Sequence, residues 1–214
     1  MEIRYSIGDK ELNGSEDKRR EELAECPITC TVSVTEKLQE VHGFRKESDF
    51  QGWVRDRPFA AKVAETDELV TKSREFESRD AQRVVGRQKV LNQRAVDDLM
   101  ELSERLGLAP TSRELLDLAH NGVSPLEPAI LHSAVLFDNS PAGSVTFILP
   151  NGIPVPTFAG GNDRTSQVDI TAAAVTTLWD RTWWRGDRHV MFGIGFFTLF
   201  NSAFDNRAAS GTCV

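Results

Sequence analysis

Lysine stops at Lys89. Every Lys in this 214-residue chain lies at or before that position, whereas the stretch after Ser124 is poor in charge and rich in Val, Ile, Phe, Trp and Gly. Lys is the residue least willing to leave water, so a Lys-free apolar half is either the core or a surface facing a partner. The partition predicts a polar, mostly helical N-terminal region over 1–124 with two short strands, and an apolar α+β core over 125–214. The two are expected to fold as one cooperative domain.

Periodicity gives that core its expected order. Ala129 to Phe137, Ser144 to Leu149 and Ile153 to Phe158 read as three consecutive strands, the last two joined by Asn151-Gly152, a pair that tolerates the positive φ of a tight hairpin. Pro154 and Pro156 lack amide donors and confine the third strand to an edge. Ser166 to Asp169 has capping-box form, and Val168, Ala172, Val175, Trp179 and Trp183 recur at helical spacing. These signals predict a helix from Val168 to Trp184 that Gly186 stops. A strand from His189 to Phe200 closes the series, with Gly193 and Gly195 forming a trough for Trp179. The fold class expected is α+β: a mainly antiparallel sheet built from the C-terminal half in the order β-β-β-α-β, attended by N-terminal helices that include one long charged helix.

That long helix is the run from Thr66 to Leu106, rich in Arg, Glu and Gln. Its first part, Thr66 to Arg83, has too few apolar residues to hold itself against solvent, so it is expected to dock on another chain or on a separate part of this one. Upstream, Glu2 to Ile7 alternates as a strand, Ser15 caps a short helix running to Glu25, and Ile28 to Val34 alternates as a second strand. Glu36 to Phe59 yields only interrupted apolar scraps around Leu38, Val41, Phe44, Phe50 and Trp53.

Several functions are disfavoured. A formal charge of −7 repels polyanions, so no nucleic-acid partner is expected. The longest apolar run, Val190 to Phe200, falls short of the roughly 20 residues a spanning helix needs, and the opening residues carry no secretory signal. The expectation is an intracellular, cytoplasmic protein; an organellar protein whose import segment has been removed would read the same. Cys26, Cys30 and Cys213 make no disulfide framework. His42, His120, His132 and His189 form no H-E-x-x-H or Cys/His cluster, and Gly193-Ile-Gly195 lacks the third glycine of a dinucleotide fingerprint, so neither a metal nor a cofactor is expected.

What chemistry remains is sparse. His132, on an apolar strand with Asp138 at its far end, is the candidate general base, and Cys30 a lesser candidate nucleophile. No G-x-S-x-G elbow announces a serine. Arg185-Gly186-Asp187 reads as a helix stop more than an adhesive tripeptide, and the ending Thr212-Cys213-Val214 as a chance match to a PDZ ligand. Trp184 is rotated about 100° from Trp183 on a helix and, with Arg181 and Arg185, is the expected exposed interface anchor. The function expected is a non-enzymatic protein-binding or assembly subunit of a larger complex, its partner a protein or a second copy of the chain. The alternative is a small enzyme using acid-base chemistry around His132 and Asp138.

Overall fold

The computed structural model describes residues 2–35, 38–75, 94, 96–108, 132–138, 145–158, 163–170 and 175–214. Its α+β architecture comprises two sheets with helices on their outer faces. The first sheet has seven strands in the order β11-β8-β9-β3-β4-β1-β2: β1 (Glu2–Ile7), β2 (Lys10–Glu11), β3 (Ile28–Thr35), β4 (Leu38–Phe44), β8 (Val175–Arg181), β9 (Arg185–Phe192) and β11 (Ser210–Cys213). The second has four, in the order β10-β7-β5-β6: β5 (His132–Phe137), β6 (Val145–Pro150), β7 (Gln167–Ile170) and β10 (Gly195–Thr198). The second sheet is antiparallel throughout; the first has two parallel pairs, β1 with β4 and β3 with β9.

Strand alternation assigns the faces. Leu178, Met191 and Cys213 of the larger sheet meet Ala134, Leu136, Leu149, Val168 and Ile170 of the smaller one in the central core. On the larger sheet's opposite face, Cys30, Phe44, Val190 and Phe192 pack against Phe50 and Val54 of α2 (Glu47–Arg55) and Val63 of α3 (Ala60–Glu75). The smaller sheet turns Val135, Phe137 and Ile148 toward Leu99 and Leu102 of the helix over 96–106. Four layers result: helices, sheet, sheet, helix. At the β1 end, α1 (Glu16–Ala24) covers the inner face with Leu23 against Tyr5 and Val41, and its cap is Ser15, whose hydroxyl accepts from the Lys18 amide.

The larger sheet draws strands from both halves of the chain, so it is not confined to the C-terminal half. The expected helix over Val168 to Trp184 is instead β7 and β8. In β8 every residue from Val175 to Trp179 is buried, because the strand lies between α3 and the second sheet. Burial on both faces erases the alternation, and a continuous apolar run with Thr reads as a helix face. Trp179 meets Val70 of α3 and Trp184, not a glycine trough. Gly193 and Gly195 have φ of +96° and +137° and break the expected final strand in two, letting the chain leave the larger sheet after β9 and enter the smaller one as β10. Ile153 to Phe158 forms no regular strand. It runs beside β11, held through a Val155–Gly211 bridge and a Phe158 amide bond to the Ala209 carbonyl, its prolines precluding a full ladder.

The Thr66 to Arg83 segment docks within the chain as far as it is described. Val70 packs on Trp179 and Trp184, Asp67 pairs with Arg188 at 2.9 Å, and Arg74 donates to the carbonyls of Trp183 and Trp184. Residues 76–83 and 109–131, including His120, lie outside the described residues. No described helix is long and apolar enough to cross a membrane.

Candidate functional site

Where β1 runs parallel to β4, Arg4 stands opposite Glu40 and Ser6 opposite His42. Period-two alternation puts these four side chains on one face, and β2 adds Glu11 opposite Ser6. Together with Tyr5 they line an open cleft of about 440 Å³. Ser6 Oγ lies 2.6 Å from His42 Nδ1, and His42 Nε2 lies 3.5 Å from Glu40 Oε2, an ion-pair separation too long for a formed hydrogen bond. A neutral ring carrying its proton on Nε2 suits both neighbours: bare Nδ1 accepts from the Ser6 hydroxyl and Nε2–H faces the carboxylate.

The His42 ring leans on Trp53 of α2, with centroids 4.9 Å apart. Burial holds its titration below the ordinary imidazole range; Glu40 pulls upward and Arg57 adds to the depression. Ser6, Glu40 and His42 match no linear motif, so the group is not visible in the sequence. The signal available was an i, i+2 pair of polar residues, Glu40 and His42, in a segment too interrupted to read as a strand.

A second imidazole sits in the interior. His189 of β9 is fully buried between the sheets, Nδ1 2.8 Å from Thr29 Oγ1 and Nε2 3.3 Å from Thr31 Oγ1, with Phe204 stacked at 5.8 Å. Burial pushes its pKa down to about 3. With hydroxyls on both nitrogens and no route to solvent, it is a neutral structural group.

The other expected residues fall elsewhere. Asp138 pairs with Arg164 at 2.9 Å, while the side chain of His132 lies outside the described atoms. The two residues bracket β5, which separates their backbones by about 20 Å at the rise of an extended strand. Cys30 is buried and burial holds its thiol far above the ordinary range, unlike a nucleophile. Trp184 is 2% exposed, which corrects the expectation of an exposed anchor: its indole donates to the Gly211 carbonyl beneath the β8–β9 turn. Arg181 and Arg185 of that turn are exposed. Asp187 of the Arg-Gly-Asp tripeptide is bound by Arg207 at 2.6 Å.

Large apolar side chains stand exposed from the β9–β10 crossover to the turn after β10: Ile194 at 57%, Phe196 at 42% and, in the turn Leu199–Ser202, Phe200 at 42% under the Arg20 guanidinium. Val34, at 48%, lies at the register irregularity near the end of β3, two residues past Val32, the register partner of Phe192. Among the described residues no group of three or more His, Cys, Asp or Glu is placed to hold a metal.

No protein family matches the sequence, and no curated protein does. A solved structure described as "Evolution of the eye lens beta-gamma-crystallin domain fold" aligns over 39% of this chain and 86% of its own, at 14% identity and a TM-score of 0.35.

Proposed function

We propose that the chain is a protein-binding or assembly subunit and that it makes contact through the rim formed by Val34, Ile194, Phe196 and Phe200. The exposure of these four apolar side chains at one end of the sheets carries the reading. Isolated exposed hydrophobes are ordinary on a protein surface, but a group of them around one crossover is the composition of an interface centre. The rim has Arg20 beside Phe200, an arginine-aromatic pairing enriched where partners bind. Arg181 and Arg185 remain solvent-facing polar candidates at the β8–β9 turn.

Sedimentation equilibrium tests the self-association form of this proposal. The parent protein is expected to exceed the mass of one chain as concentration rises, and a Phe196→Asp, Ile194→Ser double variant to remain at the mass of one chain with an unchanged melting temperature. A parent that stays monomeric at every concentration removes a second copy as the partner. Association that the double variant leaves intact removes the rim.

A further inference from the structure

We propose that Ser6, His42 and Glu40 form an acyl-transfer site at the β1–β4 edge, and that it accepts small esters whose acyl group carries an ammonium. This goes beyond the binding role and shares no residue with the apolar rim, so either reading can fail alone. Acid-base chemistry, placed by the sequence reading at His132 and Asp138, has a built seat here instead.

The chemistry follows from the geometry. The Ser6 hydroxyl, 2.6 Å from His42 Nδ1, can lose its proton to that nitrogen as Oγ attacks an ester carbonyl carbon. The C–O bond to the leaving alcohol then breaks, and the alcohol takes the proton back from Nδ1. Water, deprotonated by the same nitrogen, then attacks the acyl carbon; the bond to Ser6 Oγ breaks, Oγ takes the proton back from Nδ1, and the acid is released. Glu40 is a positioning residue: 3.5 Å from Nε2, it favours the tautomer with Nδ1 bare and stabilises the imidazolium that forms. Depression of the His42 titration keeps the ring neutral, as a base must be. Arg4, two residues before Ser6 on the same face, lines the cleft and pairs through Nε with Glu2 at 3.0 Å; the remaining guanidinium N–H groups are the cation proposed for the developing oxyanion.

Substrate class follows from charge. Arg4 contributes one positive charge, and Glu11 and Glu40 two negative ones, so the cleft is net negative with His42 neutral. Glu40 faces the imidazole, which leaves Glu11, opposite Ser6 in register, to take an ammonium next to the reacting carbonyl.

The experiment treats the full chain with a fluorophosphonate probe and maps the adduct by peptide mass. It also compares hydrolysis of alanine, acetate and hemisuccinate p-nitrophenyl esters. The adduct is expected on Ser6 and absent from Ser6→Ala and His42→Gln, both of which should lose at least about 100-fold in hydrolysis of the alanine ester. Glu11→Gln should lower the rate on the alanine ester alone. Glu40→Gln should move the acid limb of the pH profile to lower pH, a shift that a purely structural role would not produce; the groups facing His42 in this respect are Glu40, Arg57, Arg4 and Glu11. An adduct elsewhere or nowhere on the parent protein overturns the site, whether or not any variant folds. Equal hydrolysis by parent and Ser6→Ala overturns it too. An adduct on Ser6 with the acetate or hemisuccinate ester preferred overturns the ammonium class.

Discussion

Thr29 and His189 are register partners across the parallel β3–β9 pair, and the threonine hydroxyl lies 2.8 Å from Nδ1 of the imidazole. With Thr31 on Nε2, the ring has one hydroxyl to accept from and one to donate to, which is complete for a neutral histidine, whereas protonating it would bury a charge away from water. The site therefore stores a pH dependence. In the unfolded chain the imidazole titrates near 6.5, and in the fold near 3, so the unfolded state binds the proton first as pH falls. The stability this site contributes is complete above about pH 6.5 and declines between there and about pH 3. At pH 5 the loss amounts to about 2 kcal/mol. His42, depressed in the same direction, adds to the slope. Urea unfolding at pH 7 and pH 5 checks this, with His189→Gln expected to flatten most of the difference; an equal pH dependence in parent and variant would show that the ring protonates within the fold.

What the sequence made legible depended on how many faces an element buries. β1 and α1 each have a solvated side, so Tyr5 and Leu23 stand out against polar neighbours; β3 is buried on both faces from Ile28 to Thr31, but the threonines that face His189 alternate with Ile28 and Cys30, so its period survives and it too reads correctly. β8 has no solvated side, and its run of Val175, Thr176, Thr177, Leu178 and Trp179 lost the period that identifies a strand. Gly43 and Gly52 interrupt the apolar pattern of β4 and α2 and obscure both, although neither ends its element. The cleft at Ser6 and His42 was illegible for a different reason: it exists only once β1 and β4 pair across β3 and α1, an arrangement that no local pattern specifies.

Those two glycines give a contrast of opposite sign. A Cβ on Gly43 would sit 2.8 Å from Cys26 Sγ and 2.9 Å from Leu23 Cδ2, against the underside of α1. Gly43→Ala is expected to push α1 off the sheet and cost about 1–3 kcal/mol. A Cβ on Gly52 meets nothing within 4 Å, on an exposed helical position with ordinary φ. Gly52→Ala should stabilise by about 0.5–1 kcal/mol, since the unfolded chain loses freedom and the helix gains a better former. Denaturation midpoints of the two variants on the same side of the parent would contradict this packing of α1.

At the crossover between sheets the expected cost comes from backbone and not from crowding. Gly193 and Gly195 hold φ of +96° and +137° with open space around them. Gly193→Ala should therefore destabilise by about 1–3 kcal/mol despite the room available, and Gly193→Asn by less, because a short amide tolerates positive φ better. Thermal melts of the two variants measure the order; Ala as stable as Gly would mean that the chain crosses between the sheets in another conformation.

The β8–β9 turn places two consecutive tryptophans, Trp183 at φ +61° and Trp184 at φ +54°, in the left-handed region where Asn-Gly is the usual choice. Each costs about 1–2 kcal/mol of backbone energy, which the surrounding contacts must offset. The central one is Ser210 of β11, fully buried, whose hydroxyl accepts from the Trp184 amide at 3.1 Å and donates to the Arg181 carbonyl at 2.7 Å, closing the turn from below. Around it the Trp183 amide bonds the Pro156 carbonyl at 2.7 Å, and Arg74 of α3 reaches the carbonyls of both tryptophans. Ser210→Ala removes one donor and one acceptor at a site without solvent, so both backbone groups lose their partner and the expected loss is about 1–3 kcal/mol. Because Trp184 sits over Val70 and Trp179, loosening the turn should also release the end of α3. Hydrogen exchange is then expected to quicken at the amides of residues 70–75 before it changes in β3 or β4. A variant with parental stability and unchanged exchange in that stretch would show that indole packing holds the turn without the hydroxyl.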